Sequence, residues 1–234
     1  MTMTDQSKPL ALVTGVGPGT GAAVARRFAD SGYRVAMLAR DAERLAALEK
    51  EIPDSIALPC DVTDVAALEA ALAKVGAPKV VVHNAVGGAF GNFMDIAPEV
   101  LRRNFEINTM ALLHLARLTT PAMVAAGEGA LIVTGNTSAQ RGKAHFAGFA
   151  PSKAAQRTLA ESMARDLGPK GVHVAYLIID AVIDVPWQRE RMPEAPDDFF
   201  IQPRSIADEV FHLAHQARDA WTFLAEIRPF HEPW

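Results

Sequence analysis

The chain has 234 residues, of which 50% are apolar and 21% are charged, a composition typical of a folded protein rather than a disordered one. Its net charge is −4, and it has no basic block that would attract nucleic acid or an anionic membrane. The single cysteine, Cys60, excludes an internal disulfide, and residues 1–8 lack the apolar run of a signal peptide. We therefore expect a cytoplasmic protein with no nucleic-acid or membrane partner.

Short β-rich apolar runs alternate with longer segments of helical periodicity along the chain. The predicted strands cover residues 10–14, 34–39, 56–59, 79–83, 130–134, 172–179 and 221–226. The predicted helices cover residues 21–31, 42–51, 65–75, 99–126, 151–167 and 205–216. Apolar strands separated by helices favour a parallel sheet covered on both faces, and right-handed crossovers then give a doubly wound fold. We predict one Rossmann-like α/β domain over residues 1–234, with about seven mostly parallel strands.

The first predicted strand runs directly into a glycine-rich turn, Thr14-Gly-Val-Gly-Pro-Gly-Thr-Gly21. Glycines let the backbone turn tightly, and the N-terminus of the next helix offers free N–H groups to a phosphate. Between the first strand and the first helix, such a turn predicts a dinucleotide site. The predicted contacts are Gly15, Gly17, Pro18, Gly19 and Gly21. The alternative from a different class is the loop of an S-adenosylmethionine-dependent methyltransferase.

The end of the second strand distinguishes these two classes. A ribose site without a phosphate requires a carboxylate there, whereas this chain has Arg40, which suits a 2′-phosphate. Arg40 therefore predicts NADP(H) as the favoured cofactor, with NAD(H) as the alternative if Arg40 is an ordinary surface residue. Asp41 is interpreted as the N-cap of the following helix, with a ribose contact as its second interpretation.

Two later strand ends carry residues that suit a dinucleotide. After the third strand, the Asp61 carboxylate can accept a hydrogen bond from an adenine amino group, and Val62 can pack on the ring. Asp61 is alternatively a helix cap. After the fourth strand, Asn84-Ala85 keeps the backbone close to the cofactor, although Asn84 is equally interpreted as a structural turn residue.

In order and spacing, these motifs resemble the short-chain dehydrogenase/reductase family across essentially the whole chain. The resemblance continues with Asn108, Ser138 and Lys153, which fall on the family's active-site positions. It implies a Rossmann fold, a nicotinamide cofactor, hydride transfer to or from a small carbonyl or alcohol, and a homodimer or homotetramer. It also implies that Lys153 holds the nicotinamide ribose, that Ser138 polarises the substrate oxygen, and that Asn108 anchors a water chain to Lys153.

The chain departs from this family at Phe149, where the resemblance implies a catalytic tyrosine. Phenylalanine has no proton to donate, so we expect either an oxidoreductase with an atypical proton donor or a nucleotide-binding protein with little turnover. His145 is the nearest candidate donor, and an exposed loop histidine is its alternative interpretation. Asp180 and Asp184 are weaker candidates, because each would need a raised pKa. We expect Tyr176 to lie inside strand six, away from the pocket.

Residues 184–204 interrupt the alternation with four prolines among charged and aromatic residues. They leave the carboxyl end of a strand, so they predict a substrate lid, with a plain surface connection as the alternative. The apolar lid residues Trp187, Met192 and Phe199 indicate a partly apolar substrate. No carboxylate or thiol pattern accompanies His212 and His215, so no metal site is predicted.

Overall fold

The computed structural model describes residues 7–232, and its elements follow the predicted alternation. The strands are β1 (Leu10–Thr14), β2 (Arg34–Ala39), β3 (Ser55–Pro59), β4 (Val80–His83), β5 (Gly129–Gly135), β6 (Val172–Ile179), β7 (Val182–Ile183), β8 (Phe200–Ile201) and β9 (Leu224–Ile227). The helices are α1 (Thr20–Asp30), α2 (Ala42–Glu51), α3 (Val65–Val75), α4 (Pro98–Phe105), α5 (Ala111–Ala126), α6 (Ala150–Leu167), α7 (Pro186–Arg191) and α8 (Pro203–Ala214). Residues 1–6 of the polar N-terminal stretch lie outside the described part.

Seven strands form one sheet in the order β3-β2-β1-β4-β5-β6-β9, and every neighbouring pair is parallel. The remaining two strands, β7 and β8, pair with each other in a separate small sheet. The prediction of a Rossmann-like, about seven-stranded sheet is therefore confirmed.

In the central strands, alternate residues enter hydrophobic cores on opposite faces of the sheet. In β1, Leu12 packs in the core with residues of α3, α5 and α6, such as Leu112. Its neighbour Val13 packs in the other core, with residues of α1, α2 and α8, such as Phe28. Because both faces are covered, the strands are apolar along their whole length, as in other parallel sheets.

The strand order reverses between β1 and β4, and ligands of such sheets bind beyond the carboxyl ends of the strands at this point. The Thr14 hydroxyl fastens the two strand ends together. It lies 3.1 Å from His83 Nδ1 and accepts hydrogen bonds from the backbone N–H groups of Asn84 and Ala85. These bonds hold together the start of the glycine-rich turn after β1 and the start of the turn at Asn84 after β4.

Two predicted elements differ from the structure. The helix predicted over residues 99–126 is divided into α4, a π-helical segment (Glu106–Met110) and α5. The last strand begins later than predicted, at Leu224, and Trp221, at the predicted start, stacks on His173 with ring centroids 4.9 Å apart. Among residues 7–232, no helix combines the length and apolar character needed to cross a bilayer.

Candidate functional site

The glycine turn adopts a shape that side chains would obstruct. Gly15 has a φ of +68°, and a Cβ atom there would lie 2.6 Å from the Ala85 backbone. A Cβ atom at Gly21 would lie 2.5 Å from the Gly15 carbonyl oxygen. Glycine is therefore required at both positions for the turn to approach β4 and to lead directly into α1.

A cavity of about 870 Å³ lies along the carboxyl edge of the sheet. It is lined by every residue that the sequence predicts to contact the cofactor, except Lys153. These residues are Gly15, Gly17, Pro18, Gly19, Gly21, Arg40, Asp61, Val62, Asn84 and Ala85. The structure thus gathers residues from four strand ends into one elongated groove, although their contacts with a cofactor stay a prediction.

Unused polar groups in this cavity suit a phosphorylated ligand. The Thr20 hydroxyl, at the start of α1, is buried and has no hydrogen-bond partner among the described residues. Nothing lies within 4 Å of a Cβ atom placed on Gly17, so the turn is open there. The Ala22 N–H bonds to the Gly17 carbonyl at 3.0 Å, and the other N–H groups at the start of α1, together with these features, fit a pyrophosphate.

The residues that follow β2 bring charged side chains to the cavity. Arg40 is exposed and makes no hydrogen bond or ion pair within residues 7–232. Asp41 caps α2, since its side chain accepts a hydrogen bond from the Arg44 N–H, and it also pairs with the Arg44 guanidinium at 2.9 Å. The capping interpretation of Asp41 is therefore confirmed, and Arg40 is the free cation.

Asp61 is placed beside the cavity and does not cap a helix, because the N-cap of α3 is Asp64. Its carboxylate accepts hydrogen bonds from the backbone N–H and the hydroxyl of Thr63. The backbone bond from Thr63 is the largest cause of a lowered Asp61 pKa, to which the charge of Arg40 also contributes. Asp61 is thus ionised and available as an acceptor at neutral pH.

Asn84 braces the turns through both ends of its amide. Its Nδ2 donates to the Gly15 carbonyl at 3.0 Å, and its Oδ1 accepts from the Thr134 hydroxyl at 3.0 Å. The structural interpretation of Asn84 is therefore correct, and its place on the cavity wall keeps the ligand-contact interpretation open.

Lys153 lies behind this wall and is buried. Its ammonium donates to the Thr134 carbonyl at 3.1 Å and to Gln156 Oε1 at 2.5 Å. Burial lowers the pKa of Lys153 to about 7. Tyr176 lines neither cavity, as expected, yet its hydroxyl donates to the same Gln156 oxygen at 3.2 Å. The sequence prediction did not include Gln156.

Asn108 lies in the π-helical segment and holds two neighbouring loops. Its side chain exchanges hydrogen bonds with the Gly87 backbone at 2.9 Å and 2.8 Å, and its Nδ2 also donates to the Ser152 hydroxyl. Its backbone carbonyl accepts from Gln156 Nε2 at 2.6 Å. π-Helical turns are frequent at functional sites, and this one joins the Gly87 loop to the start of α6.

Ser138 is buried in a short 3-10 turn (Thr137–Ala139) that follows β5. It lines a second cavity of about 290 Å³, which shares four lining residues with the larger one: Asn136, Phe146, Ala181 and Val182. Ser138 therefore lines a cavity that adjoins the larger one, and its contact with a substrate stays a prediction.

Phe149 directly precedes α6, and its carbonyl accepts from the Lys153 N–H at 3.2 Å. Phe149 therefore lies one helical turn from Lys153. The ring is buried, and neither cavity is lined by Phe149 or by the exposed residue His145.

The two aspartates considered as donors are engaged in ion pairs. Asp184 bonds to Arg189 at 2.7 Å and 2.9 Å, and the bond from this guanidinium lowers the Asp184 pKa to about 2. Asp180 lies 3.7 Å from the Arg228 guanidinium and lines the smaller cavity. Asp184 is thus ionised at neutral pH and holds no proton to donate.

Residues 184–204 contain α7 and β8, and their first turn reaches the glycine loop. Val185, Trp187 and Gln188 line the larger cavity. A Cβ atom on Gly19 would lie only 2.9 Å from Val185 Cγ1. The segment therefore covers one side of the cavity, which is the placement that a lid requires.

The chain is similar to known proteins over most of its length. A family model described as short chain dehydrogenase matches residues 9–194. D-erythrulose reductase from Gallus gallus is 34% identical over 165 residues, which cover 70% of this chain and 67% of that protein. 7alpha-hydroxysteroid dehydrogenase from Escherichia coli strain K12 is 30% identical over 223 residues, covering 88% and 87%.

A solved structure of a metagenomic short-chain oxidoreductase in complex with NADP is 31% identical and superposes with a TM-score of 0.82, covering 94% of this chain and 96% of that one. A short-chain dehydrogenase from Rhodopseudomonas palustris gives the same identity and TM-score, 31% and 0.82, over 95% and 99% of the two chains. The residues matched by the family model include every residue that the sequence predicts for cofactor binding or catalysis.

Proposed function

Because the chain belongs to the short-chain dehydrogenase/reductase family of oxidoreductases, we propose that it transfers a hydride between NADP(H) and a carbonyl or alcohol group of a small molecule, with an atypical proton donor. The observation that carries the proposal is the cavity of about 870 Å³ that is lined by the glycine loop and by the ends of β2, β3 and β4. Relatives named as a reductase and a hydroxysteroid dehydrogenase support the substrate class.

The preference for NADP(H) over NAD(H) rests on Arg40. Arg40 is exposed, lines the cavity and makes no hydrogen bond or ion pair within the described residues, so its guanidinium can form charge-assisted bonds to a 2′-phosphate. Asp41, which would favour a ribose hydroxyl, is occupied by the α2 N-terminus and by Arg44.

The chemistry divides among three residues. A nicotinamide group supplies or accepts the hydride when it is bound. The Lys153 ammonium has three N–H donors, and two are used by Thr134 and Gln156, so one is left for a ribose hydroxyl. Ser138 donates to the substrate oxygen and polarises the carbonyl. Phe149 supplies no proton, so the contribution of a general acid, typically ~10²–10⁴-fold in rate, is absent at this position.

A second candidate function is a nucleotide-binding protein with little or no turnover. It is favoured by Phe149, whose ring occupies the position where the family resemblance implies the proton donor. Positioning of cofactor and substrate contributes to rate independently of proton transfer, so the loss of a general acid need not abolish turnover.

We also propose a cytoplasmic homodimer or homotetramer with residues 184–204 as its substrate lid. Partly buried apolar residues of α5 and α6, such as Leu118 and Met163, support the assembly. Trp187 and Phe90, both exposed beside the larger cavity, support a partly apolar substrate. Sedimentation analysis of the purified chain tests the assembly.

Titration of the chain with NADPH, followed by nicotinamide fluorescence, tests the proposed function. We expect saturable binding below millimolar concentration and cofactor-dependent turnover with some member of a carbonyl and alcohol panel. Lys153→Ala should weaken both. Binding without any turnover would favour the second candidate, and no binding of NADPH or NADH at millimolar concentration would refute both.

Phe149→Tyr tests the missing proton donor. The substitution adds a hydroxyl group one helical turn before Lys153, so carbonyl reduction should rise by roughly 10²-fold, the low end for general acid catalysis. Phe149→Leu serves as the matched control because it changes the ring without adding a proton. Equal rates for the two variants would show that the pocket has diverged beyond this one position.

A further inference from the structure

Gln156 occupies the centre of a buried polar cluster behind the cofactor cavity. Its Oε1 accepts hydrogen bonds from Lys153 Nζ at 2.5 Å and from the Tyr176 hydroxyl at 3.2 Å. Its Nε2 donates to the Asn108 carbonyl at 2.6 Å. The four residues are at most 2% exposed. Both ends of the Gln156 amide are therefore satisfied without solvent.

The cluster joins three elements that are distant in sequence. Lys153 and Gln156 lie three residues apart on α6, which places them on one helix face. Tyr176 reaches them from β6, and Asn108 reaches them from the π-helical segment. The Tyr176 ring lies against Gly135, where a Cβ atom would come within 2.1 Å of the ring. The glycine thus makes room for the phenol that supports Gln156.

Within residues 7–232, the groups that bond to the Lys153 ammonium are neutral. Burial raises the pKa of Tyr176 and lowers that of His83, on β4, to about 3, so both are uncharged at neutral pH. The remaining neighbours are the Gln156 amide and the Thr134 carbonyl. No carboxylate bonds to Lys153 within residues 7–232, and its orientation rests on the Gln156 oxygen and one backbone carbonyl.

We propose that Gln156, supported by Tyr176, is the positioning residue that holds Lys153 for the nicotinamide ribose. The Gln156 amide bonds to both the Asn108 carbonyl and the Lys153 ammonium, so it connects the two groups without a bridging water molecule. Its oxygen is only an acceptor and its NH₂ is only a donor, so this bridge passes no proton. Lys153 therefore binds the cofactor and is not resupplied with protons along this path.

This inference rests on the proposed cofactor, so its experiment has one readout with NADPH and one without. The dissociation constant of NADPH is measured from pH 6.5 to 9.5 for the unmodified chain and for Gln156→Glu, Gln156→Leu and Tyr176→Phe. The free energy of unfolding of each chain, without cofactor, is measured by denaturation over the same range. Thr158→Ala, on the exposed side of α6, is the matched control.

Gln156→Leu removes the ammonium's acceptor and should weaken NADPH binding about tenfold, the value of a hydrogen bond to a charged group. Gln156→Glu places a carboxylate beside Lys153 and should move the pH at which NADPH binding weakens upward by about one unit or more. Tyr176→Phe should act as Gln156→Leu does, to a smaller extent. Thr158→Ala should match the unmodified chain in both measurements.

The unfolding measurement tests the same contact independently. Burial lowers the pKa of Lys153 to about 7 in the folded chain, below its ordinary value of 10.5, so this residue stabilises the fold increasingly as pH rises from 7 towards 10.5. In Gln156→Glu, the new carboxylate raises the pKa of Lys153, so the free energy of unfolding should increase less between pH 7 and pH 9.5. If Gln156→Leu does not fold, the measurements on Gln156→Glu and Tyr176→Phe test whether Gln156 positions Lys153.

Unchanged affinity and unchanged pH dependence in the Gln156 and Tyr176 variants would overturn the inference. If the unmodified chain binds no NADPH, the proposed function fails by itself, and the unfolding measurement still decides whether Gln156 contacts and tunes Lys153.

Discussion

Replacement of Arg40 by alanine should change the choice of cofactor more than the strength of cofactor binding in general. Arg40 is exposed at the end of the larger cavity and has no partner within residues 7–232, so no existing ion pair has to be broken before it binds a phosphate. A hydrogen bond to a charged group contributes ~1.5–3 kcal/mol, and solvent around Arg40 favours the lower end. Arg40→Ala should therefore weaken NADPH binding by about 10–30-fold and leave NADH binding nearly unchanged.

The assay is a pair of fluorescence titrations, with NADPH and NADH, on the unmodified chain and each variant. Arg44→Ala is the matched control, because its guanidinium lines the same cavity but is already paired with Asp41 at 2.9 Å. Its effect on NADPH should be smaller. An equal loss of affinity for both cofactors in Arg40→Ala would refute the assignment of Arg40 to the 2′-phosphate. High salt should reduce the NADPH preference of the unmodified chain, since the contact is exposed.

Three further predictions follow from single residues. Gly15→Ala should abolish NADPH binding and lower the melting temperature, because φ is +68° and the new Cβ atom would lie 2.6 Å from the Ala85 backbone. Gly17→Ala is the control: its Cβ atom would meet nothing within 4 Å, so its melting temperature should equal that of the unmodified chain. His83 is buried neutral with its pKa lowered from 6.5 to about 3, so the free energy of unfolding should fall as pH drops below 6.5. His83 should lower the free energy of unfolding by about 2 kcal/mol by about pH 5. Denaturation of His83→Gln at pH 6.5 and at pH 5 should show a smaller fall in the free energy of unfolding than the unmodified chain shows. His145→Ala should leave the pH dependence of any turnover unchanged, since His145 is exposed and lines neither cavity; an altered pH–rate profile would assign it the proton.

The sheet and the cofactor groove were predictable because their signals are local. A strand buried on both faces is a short apolar run, and the turn after β1 contains glycine because the Ala85 backbone leaves no room for a side chain at Gly15. The position of Asp41 directly before a helical segment likewise predicted that it is the N-cap of α2. Residues at successive strand ends then meet at one edge, so four separate local patterns predicted one cavity.

The cluster around Lys153 was not predicted because its contacts join distant parts of the chain. Tyr176 appeared to be an ordinary core residue of β6, and nothing near it in sequence shows that its hydroxyl meets Gln156. One signal was available: a glutamine three residues after a buried lysine shares its helix face. The π-helical segment gave no signal, since residues 106–110 continue the apolar pattern of the helices on both sides.

The ion pairs of residues 184–204 bear on how quickly a ligand can leave. Arg189 bonds to both Asp184 and Asp197, which ties α7 to the turn before β8, and Val185 lies beside Gly19 on the cavity wall. Because the segment is linked within itself, it would swing away from the glycine loop as one piece. A gate of this kind slows entry and exit together, so its strength would be expressed in the residence time of the bound nucleotide rather than in its equilibrium affinity.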